Sequence, residues 1–324
     1  MNMKHFLIVV AASATALLTP TAALGDEVTL RAVSAFADGT TFSRNFQRFI
    51  DEVNGRGKGV IQIEYRGGGG KVMNPFQLGD AIRTGVVDIG NLPGAFYTKL
   101  VPEADVMKLS DFTIAQERKN GAWDYMNQLH NSKMNTWHLA RQKDCVPFHV
   151  YLTKKIDKPD LTGFNIRVTP IYRAFFESLG ARMIRTKPGD VYTALERGTV
   201  DGYGWPTQGI LDLGWHEVTK YRVDPGFYRA SVEVLVNLDA WNKLTDEQKQ
   251  VLQVGASWME DLCGEDEKIN EQEKKRQAEA GIETIDFGEK VSAAYLKQAY
   301  DTGWAAFVEA NPETGPKLKE LLTR

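Results

Sequence analysis

Ala81-Ile82-Arg83-Thr84-Gly85-Val86-Val87-Asp88 returns later in the chain as Ala194-Leu195-Glu196-Arg197-Gly198-Thr199-Val200-Asp201. Each copy reads as the end of a helix, a glycine cap, a short apolar strand and an aspartate. Glycine permits the left-handed turn that closes a helix. Past each aspartate the chain reaches the carboxyl end of a strand, at Gly90-Asn91-Leu92-Pro93 and at Gly202-Tyr203-Gly204-Trp205-Pro206. Open α/β sheets bind ligands beyond the carboxyl ends of their strands. The repeated unit therefore predicts two lobes whose strand tips face one another.

Strand and helix signals alternate outward from both copies. Residues 28–33 and 60–65 alternate apolar and polar positions. Residues 42–53 place Phe42, Phe46, Phe49, Ile50 and Val53 at helical spacing and stop at Asn54-Gly55. A helix over 75–84 and a strand over 86–89 complete a βαβαβ order, which implies a largely parallel sheet flanked by helices. Around the second copy, 164–168 reads as a strand, 170–179 as a helix opened by Pro170, 181–184 as a strand start and 231–237 as another strand. Thr245-Asp246-Glu247-Gln248 is a capping box. The helix it opens extends to about residue 280, roughly 50 Å at 1.5 Å per residue.

The chain has 324 residues, more than one core ordinarily serves, and 39 basic against 42 acidic side chains. That mildly acidic balance offers no attraction for nucleic acid. Lys4, an uncharged apolar run over 6–18 and Ala23-Leu24-Gly25 form the pattern of a secretory signal over residues 1–25, with Asp26 as the expected mature start. The run is shorter than the roughly 20 residues that cross a bilayer. No later stretch is apolar enough to insert, so the mature chain is not expected to enter the membrane. Cys145 and Cys263 are the two cysteines; in an oxidising compartment a bridge and two separate thiols are both open.

The motifs favour binding over catalysis. Arg66-Gly67-Gly68-Gly69-Gly70-Lys71 lacks the Ser or Thr after lysine, and the helix, that a phosphate loop needs. None of the five histidines pairs with another histidine or a cysteine at metal-ligand spacing, and no nucleophile stands with a base. No metal or cofactor is expected. Arg167 is the foremost candidate. It lies in an otherwise apolar strand about to enter a helix, where a guanidinium needs a fixed anionic partner. Its planar fork matches a carboxylate with two parallel hydrogen bonds. Arg31 is a weaker candidate of the same kind. Phe36, Phe96, Tyr97, Tyr203 and Trp205 crowd the predicted strand tips and are candidates to pack a ligand.

The chain resembles the substrate-binding subunits of TRAP (tripartite ATP-independent periplasmic) transporters. The resemblance rests on Leu161-Thr162-Gly163 with Arg167-Val168, Leu179-Gly180-Ala181, Val191-Tyr192, Ala194-Leu195, Gly198, Val200-Asp201-Gly202 and Pro206. Gly85-Val86-Val87-Asp88, Val101-Pro102-Glu103, Leu235-Val236-Asn237 with Trp241, and the helix after Thr245 extend it over most of the chain. It implies an α/β, two-lobe periplasmic binding protein fold, with crossing hinge strands and a long helix spanning both lobes. The expected lobes are 26–148 with about 237–277, and 149–236 with about 278–324. Arg167 falls on the family's carboxylate-binding arginine, and Asn74, Pro93 and Phe148 on ligand-facing positions. Trp205 stands where many members carry asparagine, and Phe96 near a position that is polar in sialic-acid-binding members. These departures favour a monocarboxylate with an apolar or aromatic body. Glu233 occupies the place of a metal-coordinating glutamate in 2-oxo-acid-binding members, but the rest of that metal signature is missing. The implied partners are a small organic anion and membrane permease subunits, in the periplasm. A ligand-presenting module for a receptor and a periplasmic enzyme acting on organic acids are the alternatives.

Overall fold

A computed structural model gives the conformation of residues 27–324; the expected signal segment lies outside the described residues. Eleven strands, β1 (Val28–Ser34), β2 (Ile61–Gly67), β3 (Ile89–Leu92), β4 (Thr136–Gln142), β5 (Phe148–Leu152), β6 (Asn165–Arg167), β7 (Arg182–Ile184), β8 (Gly202–Pro206), β9 (Tyr221–Asp224), β10 (Val232–Asn237) and β11 (Glu283–Asp286), form two sheets. The first runs β2-β1-β3-β10-β4 and the second β11-β9-β5-β8-β6-β7. The chain passes from the first to the second between β4 and β5, returns between β9 and β10, and crosses again between β10 and β11. This is the expected two-lobed α/β architecture with crossing strands.

The sequence echo is a structural one. β1 pairs in parallel with β2 and β3, and β6 in parallel with β7 and β8. Antiparallel β10 then lies beside β3, and antiparallel β5 beside β8. Gly85 and Gly198 take φ of 75° and 66°, the left-handed conformation the pattern requires. Each aspartate does the same work in its lobe. Asp88 accepts the backbone N–H of Arg31 at 2.8 Å, and Asp201 that of Asn165 at 3.0 Å. The strands begin after these aspartates, at Ile89 and Gly202, so the first lies three residues later than the expected 86–89. Val86 is exposed in the turn, because the carboxylate's bonds to the neighbouring strand start the ladder there.

The capping box at Thr245 and Gln248 is formed. The expected single helix is instead two segments, Asp246–Glu260 and Cys263–Glu279. At Asp261 and Leu262 ψ opens to −2° and 6°, and the N–H of Leu262 bonds to the carbonyl three residues back. The bend turns the second segment so that it reaches from the first lobe towards the second. The first segment packs on β4 and on the helix Thr41–Arg56, so closely that a Cβ on Gly255 would stand 2.5 Å from Val53 Cγ2. The second segment presents a buried polar stripe, Asp266, Asn270, Glu273 and Gln277. Gln208 donates to Asp266 and Asn270, and Gln277 donates to the Thr207 carbonyl at 2.7 Å. At the bend Cys263 is bonded to Cys145, in the β4–β5 crossing. Asn270 also donates to the Cys145 carbonyl at 2.8 Å. The hinge is thus bolted to the helix that runs along both lobes. Among the described residues no helix is long and apolar enough to cross a membrane.

Candidate functional site

The carboxyl ends of β1, β3, β6 and β8 converge between the sheets, and the space there has two connected parts. An inner chamber of about 40 Å³ is bordered by Phe36, Pro93 and Phe96 from the first lobe and by Phe148, Arg167 and Tyr172 from the second, among others. An outer cleft of about 370 Å³ runs past Thr40, Gly69 and Asn74 on one side and Lys187 and Asp190 on the other. Phe36, Phe42 and Trp205 border both parts.

Arg167 ends β6 and is fully buried. Nε and Nη2 donate to the Thr186 carbonyl at 3.1 Å each, and Nη1 donates to the Tyr172 hydroxyl at 3.3 Å. Among the described residues no carboxylate pairs with it. A guanidinium carries five N–H bonds, so one on each terminal nitrogen is left over for a ligand. Its charge centre lies 5.6 Å from the centroid of the Trp205 ring, within cation–π range. Burial pulls its pKa below the ordinary value; the Tyr172 hydroxyl opposes this and Arg185 adds to it. A desolvated cation without a counterion costs several kcal/mol. An incoming anion removes that cost.

The other candidate arginine is spoken for. Arg31 forms a bidentate pair with Asp88 (2.7 and 2.8 Å) and also donates to the Gly85 carbonyl, with its side chain half exposed. It is part of the strand-starting device and no anion site.

Phe36, Phe96, Pro93, Phe148, Asn74 and Trp205 all border the cleft or chamber. Asn74 also caps the turn Pro75–Gln77 by accepting the Phe76 N–H. The buried Trp205 indole N–H has no partner among the described residues. Three candidates lie elsewhere. Tyr203 shares a strand face with Trp205 but sits one pair deeper. It stacks on Tyr151 and bonds the Thr219 hydroxyl at 2.8 Å, and Trp215 stands edge-on to the Tyr203 and Trp205 rings. Tyr97 turns into the core and bonds His130 at 3.0 Å. Glu233 lies behind the chamber wall, accepting the Gly94 N–H at 3.1 Å and the Ser231 hydroxyl. It holds the loop that carries Pro93 and Phe96, and burial pushes its pKa up to about 7. The four-glycine run buttresses β1. A Cβ on Gly69 would stand 2.0 Å from the Ala35 carbonyl oxygen.

Sequence reasoning missed Phe42, Tyr172, Thr169, Ser231 and Lys108, which also border the chamber. Phe42 and Tyr172 read as ordinary helix-core aromatics. Lys108, a lone charge in Val106-Met107-Lys108-Leu109, carried the same signal as Arg167. It also missed Asp212 of the second lobe. Asp212 accepts the Thr41 N–H at 2.8 Å and hydroxyl at 2.6 Å across the cleft, with Arg44 at 3.2 Å.

A cleft between two α/β lobes, with a buried arginine that has no acidic partner among the described residues, is the arrangement of a solute-binding protein. The model of the DctP family, bacterial extracellular solute-binding protein family 7, matches residues 33–311. The chain belongs to that family of extracellular solute-binding proteins. It is similar to a monocarboxylate 2-oxoacid-binding periplasmic protein of Nostoc, with 22% identity over 245 residues, 72% of this chain and 66% of that protein. The chain thus matches slightly less than two thirds of that relative's length. Its fold is that of two solved TRAP solute-binding proteins. One, from Desulfovibrio salexigens, has bound orotic acid (TM-score 0.81, 19% identity, 91% of this chain and 97% of that one). The other, from Bordetella bronchiseptica, has copurified calcium and picolinate (TM-score 0.79, 21% identity, 92% of each).

The chamber does not suit a metal of that kind. Calcium takes six to eight oxygen ligands. The charged side chains bordering the chamber are Arg167 and Lys108, both cations, and Glu233 is engaged behind the wall.

Proposed function

We propose that this protein is the periplasmic solute-binding subunit of a TRAP transporter, taking a small organic monocarboxylate with an apolar or aromatic body. The observation that carries the reading is Arg167, buried at the tip of β6 with two spare N–H groups and no acidic partner among the described residues. The carboxylate meets the guanidinium end-on. Phe36, Phe96, Phe148 and Trp205 hold the body, and the unpartnered Trp205 indole N–H is available to a polar group on it. A ligand larger than the inner chamber extends into the outer cleft. Orotic acid and picolinate in the two fold neighbours, and the monocarboxylate in the name of the Nostoc relative, support this class. Residues 1–25 direct export, and membrane permease subunits receive the ligand. The lobes are 26–148 with about 237–277, and 149–236 with about 278–324. The C-terminal helix Gly315–Leu322 ties back to the helices Ile114–Asn120 and Ala122–Met134 beside the first sheet.

The test is a thermal-shift comparison of aromatic, keto and hydroxy acids with their own amides. A ligand that binds only the native state raises the melting temperature. At least one acid is expected to stabilise and its amide not to; stabilisation by amides, sugars or amines alone refutes the reading.

Ligand contacts from both lobes favour the closed form. Asp212 contributes to closure, because Thr40 caps the helix Thr41–Arg56 with no side-chain bond and Asp212 does so from the opposite lobe. A helix cap is worth about 1 kcal/mol. Asp212→Ala is therefore expected to weaken ligand binding about fivefold and to raise the radius of gyration of the free protein in solution scattering.

A further inference from the structure

Lys108 is a second cation at the chamber, and the carboxylate reading does not use it. Its side chain is 2% exposed and borders the same 40 Å³ space as Arg167. The ammonium is paired with the equally buried Asp105 and lies 5.5 Å from the centroid of the Phe148 ring, itself part of the chamber wall. Asp105 is its one hydrogen-bond partner among the described residues, while an ammonium has three N–H donors. Two donors therefore remain inside an apolar enclosure, where unmade hydrogen bonds are costly.

The charges around the chamber say what these donors serve. Lys108 with Asp105 is an ion pair of no net charge. Arg167 is a cation without a counterion. Glu233 is turned away behind the wall, bonded to Gly94 and Ser231. The one net positive charge of the groups that face the chamber calls for one carboxylate; a second carboxylate would be buried against a cation already neutralised. What Lys108 can offer a ligand is hydrogen bonds, and the fitting group is an uncharged acceptor. The chamber is small, so that acceptor must lie close to the carboxylate.

We propose that Lys108 is a specificity residue that selects monocarboxylates carrying an uncharged hydrogen-bond acceptor (an oxo oxygen, a hydroxyl or a ring nitrogen) beside the carboxylate. The proposal rests on Arg167 as carboxylate anchor. It assigns to a fixed ammonium the polarisation of the second group, with no metal required. A ligand lacking the acceptor leaves the Lys108 donors buried and unpaired, which a site built to hydrogen-bond its ligand penalises.

The test is calorimetry with three matched pairs: pyruvate and propionate, phenylpyruvate and 3-phenylpropionate, picolinate and benzoate. The wild-type protein is expected to prefer the acceptor-bearing member of at least one pair by about 10- to 100-fold. In Lys108→Met/Asp105→Asn, which removes both charges together, that preference is expected to fall to within about threefold of parity. The acceptor-free acid should bind more tightly than it does to wild type, because the donors it left unpaired are gone. Lys108→Met alone gives the same reading if the double variant does not fold. Parity within every pair in the wild type, or a preference that survives loss of the ammonium, overturns the role of Lys108 and leaves Arg167 as the anchor. Failure of every acid to bind overturns the carboxylate reading itself, and this proposal with it.

Discussion

Arg167→Ala is expected to weaken carboxylate binding by about 100-fold or more, with the fold intact. Removing one partner of a buried, hydrogen-bonded charge pair costs about 2–5 kcal/mol, and each 1.4 kcal/mol is tenfold. In the ligand-free protein the guanidinium is buried against two neutral acceptors, the Thr186 carbonyl and the Tyr172 hydroxyl. Its removal eliminates a desolvated charge at the expense of a cavity and a few hydrogen bonds. These changes oppose one another, so the free variant should melt close to wild type, within about 2–4 °C for each kcal/mol of imbalance. A structural arginine would behave differently, since breaking an internal ion pair destabilises the fold. Calorimetry and thermal unfolding on the same preparation separate the two. An unchanged dissociation constant, or a collapse of the free protein, removes Arg167 from the binding role.

The second large effect is on stability. Cys145→Ser/Cys263→Ser is expected to lower the free energy of unfolding by about 4–5 kcal/mol, read from the urea midpoint. The bond joins positions 118 residues apart. A cross-link over a loop of that order restricts the unfolded chain by about that much. The hinge crossing then loses its covalent hold on the bend of the long helix. It keeps the bonds of Asn270 to the Cys145 carbonyl and of Lys143 to Asp266 at 2.5 Å. Neither cysteine borders the chamber or the outer cleft, so ligand affinity should stay within about threefold of wild type under native conditions. An unchanged midpoint would show that the unfolded chain gains no freedom when the bond is lost.

The internal echo was legible because both copies need the same local physics: a left-handed glycine to end a helix, and a carboxylate to seize the neighbouring strand's N–H. Arg167 was legible because a lone cation in an apolar strand tip has few outlets within its own segment. Lys108 showed the same contrast, but it lies in the turn Val106–Leu109, away from any strand end, and so escaped notice. Depth was not legible at all. Tyr203 and Trp205 share a strand face two residues apart, yet the first meets Tyr151 and Thr219 while the second meets the cleft. The run from Glu265 to Lys275 is almost entirely charged. Asp266, Asn270 and Gln277 are buried because Lys143, Gln208 and the Thr207 carbonyl come to meet them from elsewhere in the chain.

The chain's linear order alone determined the two βα units, the glycine turns, the strand tips that face the cleft and the presence of an arginine near one of them. Those follow from periodicity and from backbone conformations that only certain residues adopt. The tertiary structure alone decided which arginine is left without an acid. Arg31 meets Asp88, 57 positions away, whereas Arg167 meets a carbonyl and a phenol. A charge is free or satisfied according to what folds against it, and no spacing along the chain records that.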